Sequence, residues 1–109
     1  MVLVDGSNSS ATFGFAQRVQ QDRLGTLVGE PTGGNRRGIN GGAFFFVRLP
    51  HSGLEFDLPL MGYFPPTPQP DAGLLPDVLR LPTVADVAQG RDPALREALR
   101  RAGAVAQAA

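Results

Sequence analysis

A strand, a helix and a second strand follow one another in the first thirty residues, and this order constrains the fold more than any other feature. The segments 2–5 and 25–30 are short apolar runs bounded by turn residues, which predicts two buried strands. Apolar residues recur at helical spacing between 9 and 23, which predicts an amphipathic helix. Because a helix that joins two strands favours parallel pairing with a right-handed crossover, we predict an α/β fold built on a βαβ unit.

The predicted helix carries Ala11, Phe15 and Val19 at positions i, i+4 and i+8, so we expect this line of side chains to be buried. Gly14 is a poor residue for the interior of a helix, and we expect another part of the chain to pack closely against it.

The rest of the chain predicts a hairpin and two closing helices. Segments 43–50 and 54–60 flank a Pro-His-Ser-Gly turn, a pattern typical of antiparallel strands. Segments 83–90 and 92–103 predict helices. The first has Thr83 as its cap, and the second has Asp92 as N-cap, proline at the first helical position and glycine at its end. A glycine-rich loop is expected at 31–42, before the hairpin.

Composition narrows the possible functions. The 109 residues suffice for one small domain, and ten basic against ten acidic residues give no net charge to attract a nucleic acid, so we expect no nucleic-acid partner. The absence of cysteine and the presence of one histidine exclude the usual clusters of metal ligands, so no metal or other cofactor is expected. The first residues lack the pattern of a signal peptide, and cellular location stays open.

Three sequence motifs occur in this order between residues 2 and 78: VLVDGSNSSAT, GEPTGGN and GLLPDV. Together they resemble the C-terminal half of the catalytic domain of tail-specific proteases, also called C-terminal processing peptidases, which are serine peptidases. The resemblance implies a crotonase-like α/β core, of which residues 1–103 form an incomplete domain and 104–109 a disordered tail. It also implies that a missing N-terminal half acts as a partner and supplies one donor of the oxyanion hole. Because side chains alternate between the faces of a strand, we expect at least one ring of the Phe-Phe-Phe run to be either exposed or covered by a partner element, which could be the missing half.

Two adjacent serines begin the first predicted helix. From the residues alone, we interpret Ser9 or Ser10 as a helix cap rather than as a nucleophile. The resemblance aligns Ser10 with the family nucleophile, 20 residues before Glu30, and implies that the N–H of Ala11 helps to hold the oxyanion. Ser9 is the rival nucleophile, because an adjacent serine leaves the alignment uncertain by one position.

The general base is where the chain departs from the family pattern. The catalytic lysine of the family is expected 25 residues after the serine, and that position holds Asn35, whose amide cannot accept the proton. Arg36 and Arg37 follow, but guanidinium groups stay protonated. The base could therefore be a group in the missing half or His51, or the protein could be non-catalytic. We expect Gly34 and Asn35 to contact substrate.

Two hypotheses of function follow. The first is a serine endopeptidase that cleaves peptide or protein substrates through an acyl-enzyme on Ser10, although the chain alone is expected to be inactive. The alternative is a non-catalytic relative that binds lipids or peptides.

Overall fold

The computed structural model describes residues 1–103, so the tail expected at 104–109 lies outside the described residues. The chain forms two compact units, one made of residues 1–34 and the part from residue 73 onward, the other of Asn35–Ala72. In chain order, the elements are β1 (Val2–Val4), α1 (Ser10–Gln21), β2 (Leu27–Gly29), β3 (Ile39–Arg48), β4 (Glu55–Tyr63), β5 (Val78–Leu79), α2 (Val84–Ala88) and α3 (Pro93–Arg101).

The first unit contains a small parallel sheet in the order β1-β2-β5. Val2 pairs with Leu27 and Val28 with Val78, so β2 is the central strand. Its aliphatic side chains explain this position, since Leu27 and Val28 are completely buried. Helix α1 connects β1 to β2, which confirms the predicted βαβ unit. The sequence analysis did not predict β5, which is only two residues long.

The buried face of α1 differs from the predicted one. Phe13, Ala16 and Val19 are buried against the sheet, whereas Phe15 is 60% exposed and Ala11 is also exposed. The prediction of a buried Ala11–Phe15–Val19 line was therefore wrong except for Val19, because two apolar lines run along the helix and its orientation on the sheet selects one. The close packing expected at Gly14 is also absent, since nothing within the described residues lies within 4 Å of a Cβ built there.

Helices α2 and α3 begin at the capping residues that their sequences predict. The Thr83 hydroxyl accepts a hydrogen bond from the Asp86 N–H, and the Asp86 carboxylate accepts one from the Thr83 N–H, which forms a capping box. The Asp92 carboxylate accepts from the N–H of Leu95 at 2.9 Å, and Pro93 occupies the first helical position. Gly103 follows α3 with φ of +75°, the left-handed conformation that glycine allows.

A cluster of charges surrounds one buried acid of α3. Glu97 is only 9% exposed and forms ion pairs with Arg80, Arg100 and Arg101. Hydrogen bonds from Arg100 and then Arg101 lower the pKa of Glu97 to about 2, so its carboxylate stays ionised at neutral pH.

The second unit is an antiparallel hairpin of β3 and β4, as predicted. Both strands are longer than expected, and residues 39–42 belong to β3 rather than to the glycine-rich loop. The register shifts between Gly41 and Phe44, where β3 contains a bulge. Phe44, Phe45 and Phe46 are 44%, 62% and 79% exposed. Among residues 1–103, no helix has the length and apolar character needed to cross a membrane.

Candidate active site

A tight turn connects β1 to α1 and brings the serines to the start of the helix. The Asp5 carboxylate accepts hydrogen bonds from the Ser7 N–H at 2.8 Å and from the Ser7 hydroxyl at 2.5 Å. The Asn8 side-chain oxygen accepts from the Asp5 N–H at 2.8 Å, and the Asn8 N–H donates to the Asp5 carbonyl. The hydrogen bonds from Ser7 keep the pKa of Asp5 below its ordinary value, so the turn is held by an ionised carboxylate.

The two candidate serines adopt different backbone conformations. Ser9 is the N-cap, with extended backbone (φ −127°, ψ 176°), and its side chain makes no capping hydrogen bond. Ser10 is the first residue of α1 and has φ of +53°, a left-handed conformation that is uncommon for residues other than glycine. Strain of this kind costs roughly 1 to 2 kcal/mol and is concentrated at functional sites. Ser10 and Ser9 therefore differ in backbone conformation, a difference that the sequence does not show.

The start of α1 leaves a backbone donor beside Ser10. The Ser9 carbonyl accepts from the N–H groups of Thr12 and Phe13 and from the Thr12 hydroxyl. Within residues 1–103, the N–H of Ala11 has no hydrogen-bond acceptor, and both Ser10 and Ala11 are exposed. An unpaired N–H in the first turn of a helix is suited to binding an oxyanion.

Two glycines of the GEPTGG motif pack directly on the serine turn. The N–H groups of Gly33 and Gly34 both donate to the Asn8 carbonyl, at 3.1 and 3.2 Å. A Cβ at Gly33 would lie 2.0 Å from the Gly6 carbonyl oxygen, and one at Gly34 would lie 2.2 Å from the Phe13 ring. Only glycine allows this approach, which fixes the turn that presents Ser10. Contact of Gly34 with substrate stays a prediction.

The GLLPDV motif completes the same scaffold. Leu74 and Thr32 exchange two hydrogen bonds, from the Thr32 N–H to the Leu74 carbonyl at 3.0 Å and from the Leu74 N–H to the buried Thr32 hydroxyl at 2.8 Å. The Asp77 carboxylate accepts from the Leu27 N–H at 2.7 Å and from the Gln20 amide at 3.1 Å. The sequence analysis did not predict these hydrogen bonds. The presence of Thr32 and Asp77 inside two specific motifs could have indicated that both residues have a structural role.

Asn35 lies in the hairpin unit and contacts groups near the other end of that unit. Its side-chain N–H donates to the Asp71 carboxylate, and its side-chain oxygen accepts from the Arg37 N–H at 2.8 Å. Arg37 forms an ion pair with Asp71 at 3.0 Å, and Arg36 donates to Gln69 at 3.0 Å. These residues connect the two ends of the segment that contains the hairpin.

The family lysine has no counterpart in this sequence. All ten basic residues are arginines, so no lysine is present at any position. His51 is exposed in the turn at the tip of the hairpin. Within the described residues, His, Asp and Glu form no group of three that could hold a metal ion.

A cleft of about 290 Å³ opens where the three parallel strands end. Asp5, Glu30 and Arg80 follow β1, β2 and β5, and all three line the cleft together with Asn8 of the serine turn and the first residues of α3. Clefts at the carboxyl ends of parallel strands are the usual ligand sites of open α/β sheets. The cleft could therefore accommodate a side chain of a peptide.

Comparison with known proteins identifies the family of the chain. The sequence model of peptidase family S41 matches residues 1–79, a range that contains the serine turn, the GEPTGG motif, the hairpin and the whole of GLLPDV. Neither the curated proteins nor the solved structures contain a match. The match covers well over half of the chain and confirms the resemblance to tail-specific proteases. The chain therefore belongs to peptidase family S41.

Proposed function

We propose that this protein is a serine endopeptidase of the tail-specific type, in which Ser10 is the nucleophile. The observation that carries the proposal is the left-handed φ of Ser10 at the strand-to-helix turn. Strained turns of this kind expose the hydroxyl of the nucleophile in other serine hydrolases. Family membership supports peptide-bond cleavage as the reaction.

The proposed reaction proceeds through an acyl-enzyme. The Ser10 oxygen attacks the carbonyl carbon of the scissile bond while a base removes its proton, and the Ala11 N–H stabilises the resulting oxyanion. The intermediate collapses with loss of the amine, which takes the proton from the base. Water then hydrolyses the ester and regenerates Ser10.

The base and the second oxyanion donor are proposed to come from a part of the catalytic domain other than residues 1–109. This part of the proposal follows from chemistry, because Asn35 occupies the family lysine position and the chain contains no lysine. We further propose that the complete domain has the crotonase-like core expected from the family resemblance, and that the cleft beside Asn8 binds part of a peptide substrate.

A fluorophosphonate probe tests the proposal, because it labels only an activated serine. The full-length form made in cells is labelled, digested with trypsin and sequenced by mass spectrometry, and the adduct should lie on Ser10 within the tryptic peptide that ends at Arg18. Ser10→Ala should abolish both labelling and peptide hydrolysis. Ser9→Ala is the matched control and should retain both. A labelled Ser9 would move the nucleophile by one residue, whereas complete absence of labelling and hydrolysis would favour a non-catalytic binding protein.

A further inference from the structure

The two faces of the hairpin differ sharply in chemistry. Phe44 pairs with Pro59, Phe46 with Asp57 and Arg48 with Glu55, so these six side chains share one face of the two-stranded sheet. The alternating positions form the opposite face, which we call the apolar hairpin face: Phe45, Val47, Leu54, Phe56, Leu58 and Leu60. None of its members is charged.

The apolar hairpin face is largely open to solvent. Phe45 is 62% exposed, Leu54 65%, and Phe56 and Leu58 are each 47% exposed. If a fully exposed side chain of this size presents about 200 Å², the six side chains together expose roughly 600 Å². A patch of this size is at the upper limit for a monomer and is typical of a contact surface. A two-stranded sheet alone is also only marginally stable, so it gains from a partner layer.

We propose that the apolar hairpin face binds the same face of a second copy of this chain, giving a symmetric dimer in which two hairpin sheets pack face to face. The area supports this occupant, because roughly 600 Å² from each copy buries about 1,200 Å², the lower end of the range for stable interfaces. A face without charge does not repel its own copy. Contact of a face with itself generates a closed two-fold dimer rather than an open chain of molecules.

The charges around the face argue against a membrane as the occupant. The hairpin unit contains three arginines and three carboxylates, which are Arg36, Arg37, Arg48, Glu55, Asp57 and Asp71. Arg48 and Arg37 form ion pairs with Glu55 and Asp71. Binding to anionic lipids requires an excess of basic side chains at the rim, and this unit has none. The proposal is independent of whether Ser10 is catalytic.

Two adjacent phenylalanines provide a matched pair of variants. Phe45 and Phe46 are the same residue type, both are exposed, and they lie on opposite faces of β3. Analytical ultracentrifugation from ~1 to ~100 µM should show a dimer for the parent chain and for Phe46→Lys. Phe45→Lys should raise the dissociation constant about 100-fold or more, because it buries an unpaired charge at the interface. The far-UV circular dichroism of both variants should match that of the parent.

The chain has no cysteine, so single cysteines give a second test that needs no disruptive charge. A short thiol crosslinker should join two copies of Phe45→Cys and should fail to join two copies of Phe46→Cys. If Phe45→Lys unfolds, this crosslinking result alone tests whether the apolar hairpin face forms the interface. The proposal would be overturned by a monomeric parent, by open-ended aggregation, or by equal behaviour of the two variants in either test. Binding of the parent to phosphatidylcholine vesicles without dimerisation would also overturn it.

Discussion

Replacing Ser10 with glycine should stabilise the fold even though it removes the proposed nucleophile. Ser10 has φ of +53°, and a residue with a Cβ in this conformation costs roughly 1 to 2 kcal/mol. Glycine removes that cost but adds about 0.5 to 1 kcal/mol of chain entropy to the unfolded state. Within residues 1–103, the Ser10 side chain has no hydrogen bond to lose. The net gain should therefore be about 0.5 to 1 kcal/mol.

Thermal unfolding followed by circular dichroism measures this gain, at one protein concentration because self-association would shift the midpoint. For a chain of this size the midpoint should rise by roughly 2 to 6 °C. Ser9→Gly is the control, since Ser9 has extended backbone and should lose a few tenths of a kcal/mol. Ser10→Ala should change little, because alanine bears the same backbone strain. A lower midpoint for Ser10→Gly, or equal shifts for both glycine variants, would refute the reasoning.

Three further predictions address the scaffold around the serine turn and the charged helices. Gly33→Ala should destabilise the fold by about 2 kcal/mol or more in urea titration, because the added Cβ would clash with the Gly6 carbonyl. Gly14→Ala is the control and should stabilise the fold by up to about 1 kcal/mol, because, within residues 1–103, a Cβ at this helical position meets no other atom. Asp77→Asn should cost about 2 kcal/mol by the same titration, because the Leu27 N–H loses a charged acceptor. Glu97 has a folded-state pKa of about 2, below its unfolded value, so its stabilisation is present above about pH 5 and is lost as the pH falls towards 2. Glu97→Gln should therefore reduce the loss of stability measured by acid titration.

The local order of strands, helices and turns could be predicted because neighbouring residues determine it. The βαβ unit, the hairpin, the capping residues of α2 and α3 and the glycine that ends α3 all follow from short-range patterns of hydrophobicity, capping and backbone freedom. The family resemblance likewise depended on motifs of six to eleven letters in the right order, and the family match confirms it.

Orientation between distant elements could not be predicted in the same way. Helix α1 carries apolar side chains on more than one line, and only its packing on the sheet selects Phe13 over Phe15 as the buried ring. The position of Pro59 in the middle of β4 is a second example. The Leu49 N–H bonds to the Leu54 carbonyl at 2.9 Å, so alternation along the ladder makes Phe44 and Pro59 a non-hydrogen-bonded pair. The proline nitrogen therefore faces the free edge, where no donor is needed.

The sequence by itself determined the family, the elements and the loss of the family lysine at Asn35, since these depend on residue identity and spacing along the chain. Only the tertiary structure decided that Ser10 rather than Ser9 has the strained conformation, and that Gly33 and Gly34 pack against the serine turn. The physical reason is that the close approaches of Gly33 and Gly34 join segments more than twenty residues apart, and that the φ of Ser10 is a property of the folded turn and not of the residue type. Both serines have the same intrinsic preferences, so local sequence cannot distinguish them.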